Sequence, residues 1–357
     1  MQLIALIIVS LSIYSAAESG PASLPVPTGK FKIGRSSMKL SGEPIIVWYP
    51  AQAGGRVAPY ASNGIIAELK KSDYYQQSPQ TIESWSTIAT HSSEDAKPIA
   101  NRSPLLIFLP GAGVVGFQYT TFAEEFASRG FMVVLLDYFS PDAPKRNYDS
   151  NDFAAMENDM AREAVSVLKT LAASPEWQAR IRLDRVGILG HSIGGAASIA
   201  AARIDQKFTA ASDMDGAPFG DSLQGATVPL LVLRSKPIYS DADLAKRGAT
   251  REQWDKKGEA ARKVWLEFQA KSGTDHIDIY SVKGTGHFSF SDAPFVMPDA
   301  ITRFGGEIIA PQRGYKVITT CLTEFFDHHL GNVKAPPQPK CTSFEEIVSE
   351  LPSSPAR

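Results

Sequence analysis

The chain is 357 residues long, 43% hydrophobic and 21% charged, the proportions of a globular protein large enough to bury its own core without metals or many crosslinks. Its formal net charge of -2 excludes the basic patterning of a nucleic-acid binder or a polybasic membrane anchor. There is no internal repeat and no long low-complexity segment, and the length suits one large domain or two smaller ones.

Residues 3–14 are an almost unbroken apolar run followed by Ser15, Ala16 and Ala17, then the polar Glu18 and Ser19. The run is shorter than the ~20 residues that span a bilayer. It reads as a secretory signal over residues 1–17, cut after Ala17, and implies an extracellular or periplasm-like compartment. Strands are expected at 31–40 and at 44–49, the second ended by Pro50. Residues 51–100 mix Gly, Ser and Asn clusters with one helix at 64–75 and read as an insertion bordering a site mouth. Asn101-Arg102-Ser103 is a lone glycosylation sequon.

From residue 104 the pattern becomes regular. Residues 105–109 and 131–136 are short, wholly apolar runs, as expected of strands buried on both faces. A helix at 122–128 lies between them, and 152–173 has the spacing of a long amphipathic helix, with Met156, Met160, Ala164, Val167, Leu168 and Leu171 on one stripe. A strand at 186–189 runs into a small-residue helix at 192–202. Further strands are expected at 208–211, 229–233 and 277–282, helices at 251–270 and 315–329, and a second insertion at 236–275. This alternation predicts an α/β fold, a mostly parallel sheet with helices on both faces and its chemistry at the carboxyl ends of the strands.

Gly190-His191-Ser192-Ile193-Gly194 sits where a strand meets a helix, which is the context that makes Gly-x-Ser-x-Gly a nucleophile elbow. A serine needs a base, itself oriented by an acid. Of the histidines after Ser192, only His287 lies in a glycine-rich loop just after a strand; His276 precedes its strand, and His328 and His329 fall in the last helix. For the acid, Asp213 and Asp215 both end the strand that begins at Phe208, and Asp241 and Asp243 follow the next strand. The residue types alone leave that choice open. Two N–H groups should hold a developing oxyanion, from Ile193 and from Ala112 in the loop Pro110-Gly111-Ala112-Gly113. Cys321 and Cys341, 20 positions apart, are expected to pair, worth ~3 kcal/mol in the chain-entropy model. No metal and no cofactor are expected, since there is no His-Glu-x-x-His, no Cys–His cluster and no phosphate loop.

Five stretches together resemble the plasma-type platelet-activating-factor acetylhydrolase family of α/β-hydrolases: 47–51 (VWYPA), 108–113 (FLPGAG), 127–133 (ASRGFMV), 190–195 (GHSIGG) and 286–292 (GHFSFSD). The resemblance runs from about residue 30 to about residue 330 and implies a catalytic domain at 30–334, with 335–357 as a C-terminal tail. It implies Asp215, 23 positions after Ser192, as the acid, and an oxyanion donor at Ala112. Where the family often has a histidine before that glycine, this chain has Pro110. The implied activity is release of short or oxidised acyl groups from the middle position of phospholipids, without calcium. A general carboxylesterase or polyesterase is the alternative, and a non-catalytic hydrolase-like binding protein the alternative from another class. Phe288, Phe290, Phe295, Val296 and Met297 follow the histidine and are expected either as an apolar rim for transient lipid contact or as ordinary core.

Overall fold

The computed structural model describes residues 23–71, 79–141, 143–145, 152–274, 276–297, 309–331 and 340–350. The expected signal segment, residues 1–17, lies outside them. Among the described residues, eleven strands form one sheet: β1 (Lys32–Leu40), β2 (Glu43–Ala51), β3 (Arg56–Pro59), β4 (Ala89–Glu94), β5 (Ser103–Leu109), β6 (Met132–Leu136), β7 (Ile181–His191), β8 (Phe208–Met214), β9 (Leu230–Lys236), β10 (Ile277–Lys283) and β11 (Ile347–Ser349). Their order is β11-β10-β9-β8-β7-β5-β6-β2-β1-β4-β3. From β10 to β6 every pairing is parallel. The antiparallel hairpin β1–β2 extends that block through β2 and β6.

The apolar runs are strands because both faces are covered. All seven residues of β5 are buried. Leu106 and Phe108 pack on one side with Phe122 and Phe126 of helix Thr120–Ser128 and with Leu322 and Phe326 of helix Pro311–His329. Leu105, Ile107 and Leu109 pack on the other with Met160 and Leu168 of helix Phe153–Ala173 and with Ala197 and Ala200 of helix Ile193–Ile204. Asp152 caps the long helix by accepting from the Ala155 amide at 2.9 Å. The chain passes from β5 to β6 over one face, then back over the other to β7 on the far side of β5. The strand order therefore reverses between β5 and β7, which opens a crevice beyond their carboxyl ends.

Three segments differ from their expected form. Residues 51–100 supply β3 and β4 to the sheet edge, β4 running parallel to β1, and only Asn63–Leu69 of the expected helix at 64–75 is helical among the described residues. Buried Trp85 meets Tyr60 and Phe117 edge-on at 6.5 and 5.5 Å, tying this segment to the turn that follows β5. Within 236–275, a short helix, Asp241–Lys246, precedes the expected one, Arg251–Lys271, which buries Trp265 and Phe268 and leaves most of its surface to solvent.

The third is the expected C-terminal tail, whose residues 340–350 are instead stitched to the domain. β11 pairs antiparallel with β10, and Arg313 grips Glu346 through two bonds of 2.6 and 2.8 Å. Cys321 and Cys341 form a disulfide with Cα atoms 4.5 Å apart. Replacing both cysteines by serine should lower unfolding stability by ~3 kcal/mol in chemical denaturation. A loss below ~0.5 kcal/mol would mean that strand pairing and the Arg313–Glu346 bridge hold the segment unaided.

Candidate active site

β7 ends at His191, and helix Ile193–Ile204 starts two residues later, so Ser192 alone makes the turn. Its backbone lies at φ 56 and ψ -124, a conformation that costs a non-glycine residue of order 1–3 kcal/mol. Two glycines make room for the crossing. A Cβ on Gly190 would fall 2.1 Å from the Gly194 carbonyl oxygen, and one on Gly194 would fall 2.4 Å from the Leu109 carbonyl oxygen. The elbow thus presses on the end of β5, within the crevice. Ser192 donates its N–H to Met214 O at 2.9 Å and keeps its side chain partly open to solvent.

His287 follows β10 at the start of a short 3-10 turn, and its Nδ1 lies 2.7 Å from Asp215 Oδ2. Asp215 stands one residue beyond β8 with φ 56, and its Oδ1 accepts the Ser235 amide at 2.6 Å. Burial alone would raise this carboxyl; the hydrogen bond and charge interaction with His287, together with Ser235, outweigh it and hold Asp215 at about 2. Asp215 is therefore ionised and only accepts, so Nδ1 of His287 carries a proton, and the neutral form of the ring has its lone pair on Nε2.

Asp213 has another place. It is fully buried, its Oδ1 accepts the Gly216 amide at 2.6 Å, and burial pushes it well above the usual carboxylate range. Asp241 and Asp243 are helix-terminus residues, the first bridged to Arg251 at 2.9 Å, the second bonded to the capping Ser240 at 2.6 Å. His276 and His329 lie near each other, with ring centroids 6.4 Å apart, and His328 adjoins His329 at 4.7 Å. His276 accepts from Leu230 at the start of β9, at the opposite edge of the sheet. Ile193 opens its helix, so its N–H has no acceptor within that helix. Ala112 is exposed in a tight turn closed by Val114 N–H on Gly111 O at 3.0 Å, with Gly113 at φ +72.

Of the two readings of the apolar residues after His287, rim or core, the second holds for three of the five. Phe290, Phe295 and Val296 belong to the core. The Asp292 amide donates to Gln118 O at 2.8 Å and draws the segment inward, and Phe295 meets Tyr315 edge-on at 6.0 Å. Phe288 and Met297 remain half-buried.

Four residues carry site structure that the motif reading did not single out. Glu157 takes four hydrogen bonds of 2.8–3.0 Å from Phe219, Gly220 and Ser222, fixing the loop beyond Asp215. Its only sequence signal is an acidic residue on the apolar stripe of its helix. His191 and Tyr119 form a buried pair, Nδ1 to Oη 2.8 Å; of these, only the elbow's variable position marked His191. Asp292 accepts from the Thr121 hydroxyl at 2.5 Å and amide at 3.2 Å. Among the described residues, no group of three or more His, Cys, Asp or Glu side chains is arranged to hold a metal, and no helix is long and apolar enough to cross a membrane.

Burial also raises Asp292 to about 7, against the opposing bonds from Thr121. The folded state then keeps a proton that the unfolded chain releases near pH 4. Its stabilising effect is complete below that point and is lost as pH rises through about 7. Asp292→Asn should therefore gain on wild type in Tm as pH rises from 4.5 to 8. A difference independent of pH would refute the protonated carboxyl.

The chain is similar to known proteins along parts of its length. The sequence model of the family described as "Platelet-activating factor acetylhydrolase, isoform II" matches residues 159–341, just over half of the chain. A "Probable 1-alkyl-2-acetylglycerophosphocholine esterase" of Arthroderma benhamiae is 23% identical over 136 residues, 34% of this chain and 33% of that protein. A "Probable 2-oxo-3-(5-oxofuran-2-ylidene)propanoate lactonase" of a Bradyrhizobium species is 29% identical over 110 residues, 30% of this chain and 44% of that one. The matches thus span less than half the length of either relative. A ferulic acid esterase from Streptomyces cinnamoneus has the same fold, with a TM-score of 0.69 over 92% of this chain and 99% of its own, at 22% identity. With residues 159–341 spanning the elbow at Ser192, Asp215 and the His287 loop, the chain belongs to the platelet-activating factor acetylhydrolase, isoform II, family of α/β-hydrolases.

Proposed function

We propose that the protein is a secreted carboxylic ester hydrolase that uses Ser192 as nucleophile, His287 as base and Asp215 as the acid that orients it. The observation that carries this reading is the 2.7 Å bond from His287 Nδ1 to an ionised Asp215, in loops that leave the sheet at the same edge as the strained Ser192. His287 Nε2 takes the Ser192 proton as the oxygen attacks the ester carbonyl. The oxyanion rests on the N–H groups of Ile193 and Ala112. The alcohol leaves with the proton from His287, and water then releases the acid by the reverse sequence.

Family membership favours short-acyl phospholipids as substrates. Burial of Phe290, Phe295 and Val296 removes most of a lipid-facing rim and favours a second reading, turnover of soluble short-acyl esters. The test is steady-state hydrolysis of p-nitrophenyl acetate and of a short-acyl phospholipid, below and above its aggregation threshold. Faster turnover of the aggregated lipid supports the phospholipid reading; preference for the soluble ester supports the second. Hydrolysis of neither would favour a binding protein. The Cys321–Cys341 disulfide supports an oxidising compartment. N-terminal sequencing of the exported protein should begin after Ala17.

A further inference from the structure

We propose that His191 is a positioning residue that, as its neutral Nε2–H tautomer, ties the Gly111 loop and the His287 loop to the elbow through one directed chain of hydrogen bonds. The inference rests on the reading of Ser192 and His287 as nucleophile and base.

The chain has two backbone ends of fixed polarity. The Gly111 N–H, which can only donate, lies 2.8 Å from Tyr119 Oη. The His287 carbonyl, which can only accept, lies 3.0 Å from His191 Nε2. Nε2 must therefore carry a proton. Tyr119 Oη lies 2.8 Å from His191 Nδ1, and its lone pair already takes the Gly111 N–H. Its own proton then goes to Nδ1 of the neutral ring. The three bonds thus run in one direction: Gly111 to Tyr119, Tyr119 to His191, His191 to His287.

The packing agrees. His191 is fully buried, with its ring centroid 4.6 Å from that of His287. A charge on His191 would oppose the charge that His287 takes up during turnover. Burial first, then the neighbouring His287, hold His191 down at about 3. Gly111 runs so close that a Cβ there would lie 2.8 Å from His191 Nδ1 and 3.2 Å from Tyr119 Oη. One side chain, adjoining the nucleophile in sequence, thereby spaces the base on one side and the proposed oxyanion donor Ala112 on the other. Small errors in that spacing act on the transition state rather than on substrate binding.

The experiment combines nitrogen-15 NMR of the full-length protein with kinetics on p-nitrophenyl acetate. His191 should show Nε2 protonated and Nδ1 bare, unchanged from pH 5 to pH 9. Tyr119→Phe should lower kcat ~10–100-fold with KM nearly constant. His191→Gln, which can still donate to the His287 carbonyl, should retain more kcat than His191→Leu. Titration of His191 in that range, an Nδ1–H tautomer, or wild-type kcat in folded Tyr119→Phe would overturn the proposal. A fluorophosphonate probe separates the two levels. If wild type takes no label at Ser192, the hydrolase reading fails and the positioning role with it. If wild type is labelled and Tyr119→Phe is labelled and turns over equally fast, only the positioning role fails.

Discussion

Ser192→Ala is expected to lower kcat on a soluble ester by ~10⁴–10⁶-fold. The size follows from the proposed mechanism, in which His287 Nε2 takes the Ser192 proton and the acyl group passes to Ser192: alanine offers neither proton nor oxygen. The fold should hardly change. Alanine at position 192 meets the same backbone strain at φ 56 and keeps the Ser192 amide bond to Met214 O. Stability within ~1 kcal/mol of wild type is therefore expected, since no hydroxyl bond of the folded state is central to the turn. The measurement is kcat in matched preparations, with denaturation to check folding. Retention of more than about one part in a hundred of the activity would mean that another group attacks the ester.

The two neighbouring aspartates should respond in opposite ways. Asp215→Asn is expected to cost ~10⁴-fold in kcat, the size of effect seen when a triad acid becomes an amide. The amide nitrogen would face His287 Nδ1 and favour the tautomer with its proton on Nε2, which can no longer act as a base. Asp213→Asn should stay within a few-fold of wild type. Burial favours the neutral form of that carboxyl, and an asparagine oxygen can accept the Gly216 amide in its place. Measuring kcat/KM for the pair decides the assignment. A large loss at Asp213 with little at Asp215 would reverse it.

The difference between these residues could not be read from their spacing. Both lie at the end of one strand, on what would be the same side of an extended chain. In the sheet, Asp213 is still within β8, opposite Gly190 and Val232, with its side chain sealed beneath Gly195 and Gly216. Asp215 lies one step beyond, where a left-handed backbone and the bond from its N–H to Leu233 O turn the carboxyl towards β10. The register of three strands makes that choice, and register is a property of the sheet rather than of the segment.

The same division runs through the molecule. Local sequence determined the buried strands such as Leu105–Leu109, the long capped helix at Phe153–Ala173, the elbow at Ser192 and the glycine-rich loop of His287, because apolar periodicity and steric need act over a few neighbours. Tertiary structure alone decided that Phe290 and Phe295 turn inward, that residues 340–350 add a strand beside β10, and that Tyr119, 72 positions before His191, reaches its ring. Burial and hydrogen-bond partnership between distant segments depend on how the layers close over one another, and no short window of sequence contains that information.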